Sequence, residues 1–220
     1  MEKFFDLMLS TPLFIGMDTS ELSAILSCLQ AQKTVFSKGE AIFLEGDPAG
    51  SIGMVLQGSV LIVRDDFCGN RSLIAHAKEG DLFAEAFACA GMPFMPVSAF
   101  AQTDSTVLMM DHRKMLTVCS NSCRFHNQLI KNLLQVSARK NLALSNKIHF
   151  MSQKTTKEKL MAYLLYQAKL NGSAEFDISL DRQSLADYLG VERSAMSAEL
   201  GNLKKQGLID FKGSHFEIKN

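Results

Sequence analysis

LADYLGVERSAMSAELGNLKKQGLI, residues 185–209, decides how the rest of the chain is read. Leu185, Ala186 and Leu189 recur at helical spacing, and Gly190 then supplies a turn where a positive φ is comfortable. Val191 packs in that turn. Met196, Leu200 and Leu203 form the inner face of a second helix, which Gly207 can terminate. The small Ala186 lets the two helices approach closely. This spacing predicts a helix-turn-helix. Downstream, LIDFKGSHFEIKN (208–220) alternates apolar and polar residues around Lys212-Gly213-Ser214, the pattern of a hairpin wing.

The second helix leaves Arg193, Ser194, Ser197, Ala198, Gly201 and Lys204 facing outward. Arginine reads guanine O6 and N7, and serine suits several base-edge groups. A helix N-terminus also favours phosphate. Lys204, Lys205 and Lys212 are placed for salt-sensitive backbone contacts. Winged helices also serve as protein-binding modules, in which Arg193 would be an ordinary solvated charge.

The 220 residues include 47% hydrophobic residues and four prolines, the composition of a folded chain with material for two cores. The net charge of zero hides a split. Residues 1–111 carry 6 Lys/Arg against 14 Asp/Glu, and residues 112–220 carry 17 against 9. No acidic residue falls between Asp111 and Glu158. Such asymmetry suits an acidic half joined to one that meets a polyanion, although residues 154–220 alone are nearly neutral. The apolar start, MEKFFDLMLSTPLFIG, is broken by Asp6 and Pro12 and lacks a basic lead, so it reads as a packed helix. No run of 18 uncharged apolar residues occurs, and a cytoplasmic protein is expected. Five cysteines (Cys28, Cys68, Cys89, Cys119, Cys123) at irregular spacing form neither a disulfide framework nor a zinc motif.

Leu22, Ile25, Leu26 and Leu29 predict a helix capped by Asp18 with Glu21. From Val35 to about Met110, short apolar runs between glycines predict antiparallel strands in a barrel or double sheet. FAEAFACAGMPFMP (83–96) reads as a long apolar loop in that region. From His112 the pattern is helical. Ile130, Leu134, Ser137, Asn141, Leu144, Ile148 and Met151 repeat at 4-3-4-3-4-3, a coiled-coil seam. A helix of 28 residues would run about 42 Å, too long for one small domain, so pairing with a second copy is expected. The polar SQKTTK (152–157) predicts a hinge, followed by the helix EKLMAYLLYQAKL.

In this order the glycine-punctuated roll (KGE, EGD, QGSV, EGD within 38–81), the long seam helix and DRQSLADYLGVERSAMSAELGNLKKQGLI resemble the Crp/Fnr family of bacterial transcription regulators, over about residues 5–218. The resemblance implies an α+β fold with three parts. These are an N-terminal β-roll (a cyclic-nucleotide-binding-like double-stranded β-helix, 1–111), a long dimerisation helix and hinge (112–153), and a C-terminal winged helix-turn-helix (154–220). It implies a homodimer whose effector, sensed by the roll, reorients two recognition helices on a pseudo-palindromic site. Double-stranded DNA, a second copy and RNA polymerase are the partners it suggests. In the family's familiar recognition helix Arg-Glu-Thr-Val-Ser-Arg follows the turn; here Arg193 carries over, but Ser194 and Ala198 replace the glutamate and the second arginine. A different DNA sequence is therefore expected.

Members that bind cyclic AMP use Gly-Glu for the ribose and Arg-Ser/Thr-Ala for the phosphate. The matching positions here are Ala84-Glu85 and Val97-Ser98, and the adenine-contacting Thr-Ser pair matches Leu144-Ser145. Glu85 and Ser98 survive, but a phosphate against Val97 would stay unpaired, so cyclic AMP is not expected. No N-terminal cysteine set for an iron–sulfur cluster is present beyond Cys28. Haem has weak support, with His76, His112, Cys68 or Cys89 as axial candidates. Phe87, Met92, Phe94 and Met95 could line a site for an apolar effector but read better as core. A redox role for Cys89 or the Cys119/Cys123 pair stays open. No catalytic motif is visible, so an enzyme is not expected. The alternative to a DNA-binding regulator is a ligand-binding module acting on a protein partner.

Overall fold

The structure, a computed structural model, describes residues 1–66, 71–117 and 124–219. Cys68, Cys119 and Cys123 lie outside the described residues. Contacts divide the chain into two compact units, residues 1–138 and 139–220, so the division falls within the long helix.

The first unit opens with a 3-10 turn, Glu2–Phe4, then α1 (Phe5–Ser10) and α2 (Thr19–Cys28). A capping box starts α2: the Glu21 N–H donates to Asp18 Oδ1 at 2.8 Å, and the Asp18 N–H donates to Glu21 Oε2 at 3.1 Å. Eight strands follow: β1 (Gln32–Phe36), β2 (Ala41–Phe43), β3 (Ser51–Gln57), β4 (Ser59–Asp65), β5 (Arg71–Lys78), β6 (Leu82–Phe83), β7 (Ser98–Ala101) and β8 (Ser105–Asp111). They form two antiparallel four-stranded sheets, ordered β1-β8-β3-β6 and β2-β7-β4-β5.

Strand β3 explains why its sequence is apolar almost throughout. Ile52, Met54 and Leu56 join the core made with the N-terminal helices, whereas Val55 joins the core between the sheets. Gly53 sits under the Phe83 ring: a Cβ there would come within 2.2 Å of Phe83 Cζ. Phe83, Phe43, Met95, Val97, Ala99 and Val107 fill the space between the sheets.

The 83–96 stretch is not simply a loop. It holds α3 (Glu85–Cys89), and its apolar residues divide. Met95 is buried and Phe87 packs partly against the core, but Met92 is 38% and Phe94 59% exposed. The expectation that all four belong to the core therefore fails for Met92 and Phe94. These two follow Ala90-Gly91, where the chain leaves α3 for the surface.

After α4 (His112–Leu116), α5 runs from Arg124 to Met151. Its first turns bury Leu129 and Leu133 in the first unit. Two buried polar residues on them are satisfied. Asn132 Nδ2 donates to the carbonyls of Leu13 and Ile15 at 2.9 Å, and His126 Nε2 lies 3.3 Å from the Met115 carbonyl.

In the second unit, α5 ends against α6 (Thr156–Asn171), which Thr155 and Glu158 start with another capping box. Phe150 is buried among the rings of Tyr163, Tyr166 and Tyr188, at centroid distances of 5.7, 5.4 and 6.3 Å. The unit continues with β9 (Glu175–Asp177), α7 (Arg182–Leu189), α8 (Arg193–Lys205), β10 (Ile209–Lys212) and β11 (His215–Ile218). The wing is three-stranded, ordered β10-β11-β9, because β9 pairs with β11. The hairpin reading covered only β10 and β11. Among the described residues no helix is long and apolar enough to cross a membrane.

Candidate nucleic-acid interface

The two helices meet through the residues that the sequence pattern selected. Leu185, Ala186, Leu189, Met196, Leu200 and Leu203 are all at most 1% exposed. Asp181 caps α7 by accepting from the Ser184 N–H at 2.7 Å. That bond, more than the nearby charge of Arg193, holds the Asp181 carboxyl below the ordinary range. Gly190 closes α7 at φ +61° and Gly207 follows α8 at φ +72°. At both positions a Cβ would be strained.

Glu192 precedes α8 without a side-chain cap, so the first N–H groups of that helix keep no side-chain acceptor there. Arg193, Ser194, Ser197 and Ala198 are exposed along the same helix. An uncapped N-terminus with an arginine and two serines beside it can take anionic oxygen and base-edge groups together.

The three lysines stand differently. Lys205 and Lys212 are exposed, Lys212 at the hairpin tip opposite His215. Lys204 is exposed too, but it is fastened to the wing. Its Nζ pairs with Asp210, lies 3.5 Å from the Phe211 carbonyl and 5.4 Å from the Phe211 ring centroid. Lys204 also holds the Asp210 carboxyl below its usual range.

Arg182, which the sequence reading left out, joins α7 to the same hairpin. Its guanidinium lies 5.0 and 4.9 Å from the Phe211 and Phe216 centroids, and Nη2 donates to the Gly213 carbonyl at 2.8 Å. Only the alternation of FKGSHF could have hinted at this, since the contact depends on the wing's register.

The effector-pocket positions are four buried residues on the roll and two exposed ones on α5. Ala84, Glu85, Val97 and Ser98 are 7, 5, 0 and 8% exposed. The Glu45 N–H donates to Ser98 Oγ at 3.0 Å, so that hydroxyl already serves the backbone. Ala84 holds φ +66°, a left-handed conformation, at the position where the family's cyclic-nucleotide binders have glycine. Leu144 and Ser145 are exposed in the second unit. Of the haem candidates, His76 is exposed on β5, and His112 Nδ1 lies 2.7 Å from the Gly50 carbonyl. Burial, with Glu85 nearby, raises the Cys89 thiol pKa, which disfavours the thiolate. Among the described residues no group of three or more His, Cys, Asp or Glu could hold a metal ion.

The left-handed Ala84 supports a stability prediction. Ala84→Gly is expected to raise stability by roughly 0.5–1 kcal/mol, because removing the methyl relieves more than the added chain entropy costs. Urea midpoints at matched m-values check it, and an unchanged or lower midpoint would mean that the strain is absorbed elsewhere.

A roll of two antiparallel sheets, a long helix and a winged helix-turn-helix define a DNA-binding transcription regulator with a cyclic-nucleotide-binding-type domain. Residues 33–122 match the cyclic nucleotide-binding domain, and residues 158–220 match the Crp-like helix-turn-helix domain. The chain belongs to the Crp/Fnr family, whose members are transcription regulators and not enzymes. Electron transport regulator A of Shewanella oneidensis is 22% identical over 92% of this chain and 80% of its own length. The CRP-like cAMP-activated global transcriptional regulator of Mycobacterium tuberculosis is 22% identical over 94% of this chain and 92% of its own. Two solved structures share the fold. DNR from Pseudomonas aeruginosa has a TM-score of 0.51 at 21% identity, covering 98% of this chain and 93% of that one. The c-di-GMP responsive regulator CLP from Xanthomonas campestris has a TM-score of 0.52 at 17% identity, covering 92% and 100%.

Proposed function

We propose that this chain acts in the cytoplasm as a homodimer, joined along α5, that places two copies of α8 in successive major grooves of a pseudo-palindromic site. The division of labour is a sensor in residues 1–111, a dimerisation helix and hinge in 112–153 and a DNA-binding domain in 154–220. The observation that carries the dimer is the apolar stripe on α5: Leu134, Leu144, Ile148 and Met151 are 70, 59, 60 and 42% exposed in the single chain. Exposed leucines at seam spacing on a helix of this length call for a partner helix. Ser137 and Asn141 in the same stripe would set its register.

In this reading Arg193, Ser194, Ser197 and Ala198 face base edges, while Lys205 and Lys212 meet phosphates. Lys204 serves both as a charge near the backbone and as a tie to the wing. The roll's effector is not cyclic AMP, because Val97 stands buried where a phosphate would need a cation. Relatives of the same fold are named as cAMP-activated and as c-di-GMP responsive, so the fold alone does not fix the effector. RNA polymerase is the further partner that the family resemblance suggests for an activating role.

Arg193→Ala tests the base-reading role. It is expected to cost about 1–3 kcal/mol on the selected site and to relax preference at one base pair of each half-site, as loss of a bidentate contact does. Competition binding against single-base variants of the site measures both. An unchanged preference would remove Arg193 from the reading surface.

A further inference from the structure

The wing is fastened to both helices of the helix-turn-helix, and the two ties differ. Lys204, from α8, holds the base of the hairpin through Asp210 and the Phe211 carbonyl. Arg182, from α7, holds its tip. Phe211 and Phe216 pair across the hairpin with centroids 5.7 Å apart, and the Arg182 guanidinium lies about equally close to both rings. Its Nη2 donates to the carbonyl of Gly213, the turn residue at φ +62°. The next residue back along the chain is the exposed Lys212. A flat guanidinium can stack on rings and donate in its own plane at once; an ammonium has no such plane.

We propose that Arg182 is a positioning residue for DNA binding: it fixes the β10–β11 turn so that Lys212 meets a phosphate, and it does not contact DNA itself. This rests on the reading that α8 and the wing face DNA. Arg182 is half-buried, and that burial lowers its pKa. The side chain stays charged at neutral pH all the same. Its charge is therefore present near the interface while its geometry is committed to the hairpin.

The test is a double-mutant cycle on the full chain, using a labelled mixed-sequence DNA duplex of about 40 base pairs, since phosphate contacts bind without regard to sequence. Fluorescence anisotropy over a salt series gives the affinity and its salt slope for wild type, R182M, R182K, K212A and R182M/K212A. Each phosphate contact contributes a slope of about −0.9, so losing one costs about eight-fold in affinity near 0.1 M salt. K212A is expected to show that loss. R182M is expected to show a similar loss with the slope reduced by about one contact, although it removes no phosphate ligand. The double variant should be no weaker than the weaker single variant, and R182K should behave as R182M does.

Losses that multiply in the double variant, with the slope falling by two contacts, would make Arg182 an independent phosphate ligand and overturn the proposal. Full binding by R182K, or by R182M, would overturn it as well. Should R182M fail to give a wild-type circular dichroism spectrum, R182K against K212A carries the same comparison. If wild type binds the duplex neither alone nor with a small-molecule extract, or K212A binds as wild type does, the wing has no place on DNA. In that case the wider reading fails first, and Arg182's role fails with it.

Discussion

A Leu144→Glu chain is expected to sediment as a monomer at micromolar concentration, where the unaltered chain is expected to sediment as a dimer. Leu144 is 59% exposed in the single chain and lies in the α5 stripe between Asn141 and Ile148. In a two-fold interface one substitution is felt twice. Each copy forfeits about 1.5–3 kcal/mol of leucine burial, and the two carboxylates would sit close across the axis. The combined loss of about 3–6 kcal/mol weakens association by a factor of roughly 10²–10⁴. Binding to a palindromic duplex should fall with it, because two half-sites would no longer be held together. Analytical ultracentrifugation over a concentration series reads the result directly. A dimer of wild-type affinity in the variant would place the interface on some other surface.

The second large effect is expected inside the C-terminal unit. Phe150→Ala should cost about 4 kcal/mol and lower the melting transition of that unit by on the order of 20 °C. Phe150 is 2% exposed, and its ring meets those of Tyr163, Tyr166 and Tyr188. Tyr163 and Tyr188 also pack on each other at 5.8 Å, so truncation opens a cavity that three rings border. The polar ends of this knot are occupied: the Tyr166 hydroxyl accepts from Asn146 Nδ2 at 2.8 Å, and the Lys147 ammonium lies 5.4 Å from the Tyr188 centroid. Those ties limit how far the rings can collapse into the gap. Phe150→Leu, which keeps most of the volume, should lose no more than about 1.5 kcal/mol. Near-ultraviolet circular dichroism follows both variants, since three tyrosines report on the site. A cost below about 1 kcal/mol for the alanine variant would mean that the last turn of α5 does not belong to this core.

What the sequence made legible follows from where the deciding physics is local. The helix-turn-helix could be read because its inner face repeats at 3 and 4, and because Gly190 and Gly207 stand where the backbone turns left-handed. The Asp18 cap was legible with Glu21 because it is short-range, a side chain reaching three residues ahead; Thr155 and Asp181 cap by the same reach but went unread. The α5 stripe was legible as spacing, although Leu142, 66% exposed, lies beside the seam and not in it.

The features that escaped the sequence depend on distant partners. Strand β9 is three residues, too few to show alternation, and exists because β11 offers it an edge. The roll's interior depends on pairings such as β1 with β8, which are separated by about half of the first unit. No local rule marks Met95 as buried and Phe94 as exposed; their neighbours in space decide it. Arg182 carries no signal in the sequence, and Lys204 reads there only as a phosphate-facing charge, until the hairpin brings Phe211 within reach of both.

The reading of a palindrome by two copies of this chain underlies the proposed function. Selection of genomic fragments by the purified full-length protein, with and without a small-molecule extract, followed by sequencing of the bound DNA, tests it most directly. The expected result is an enriched pseudo-palindrome whose half-site centres lie about one helical turn apart. Enrichment only with extract would show that the roll's effector gates binding. Enrichment of a single unrepeated half-site, or of no motif under either condition, would contradict the claim and turn attention to a protein partner.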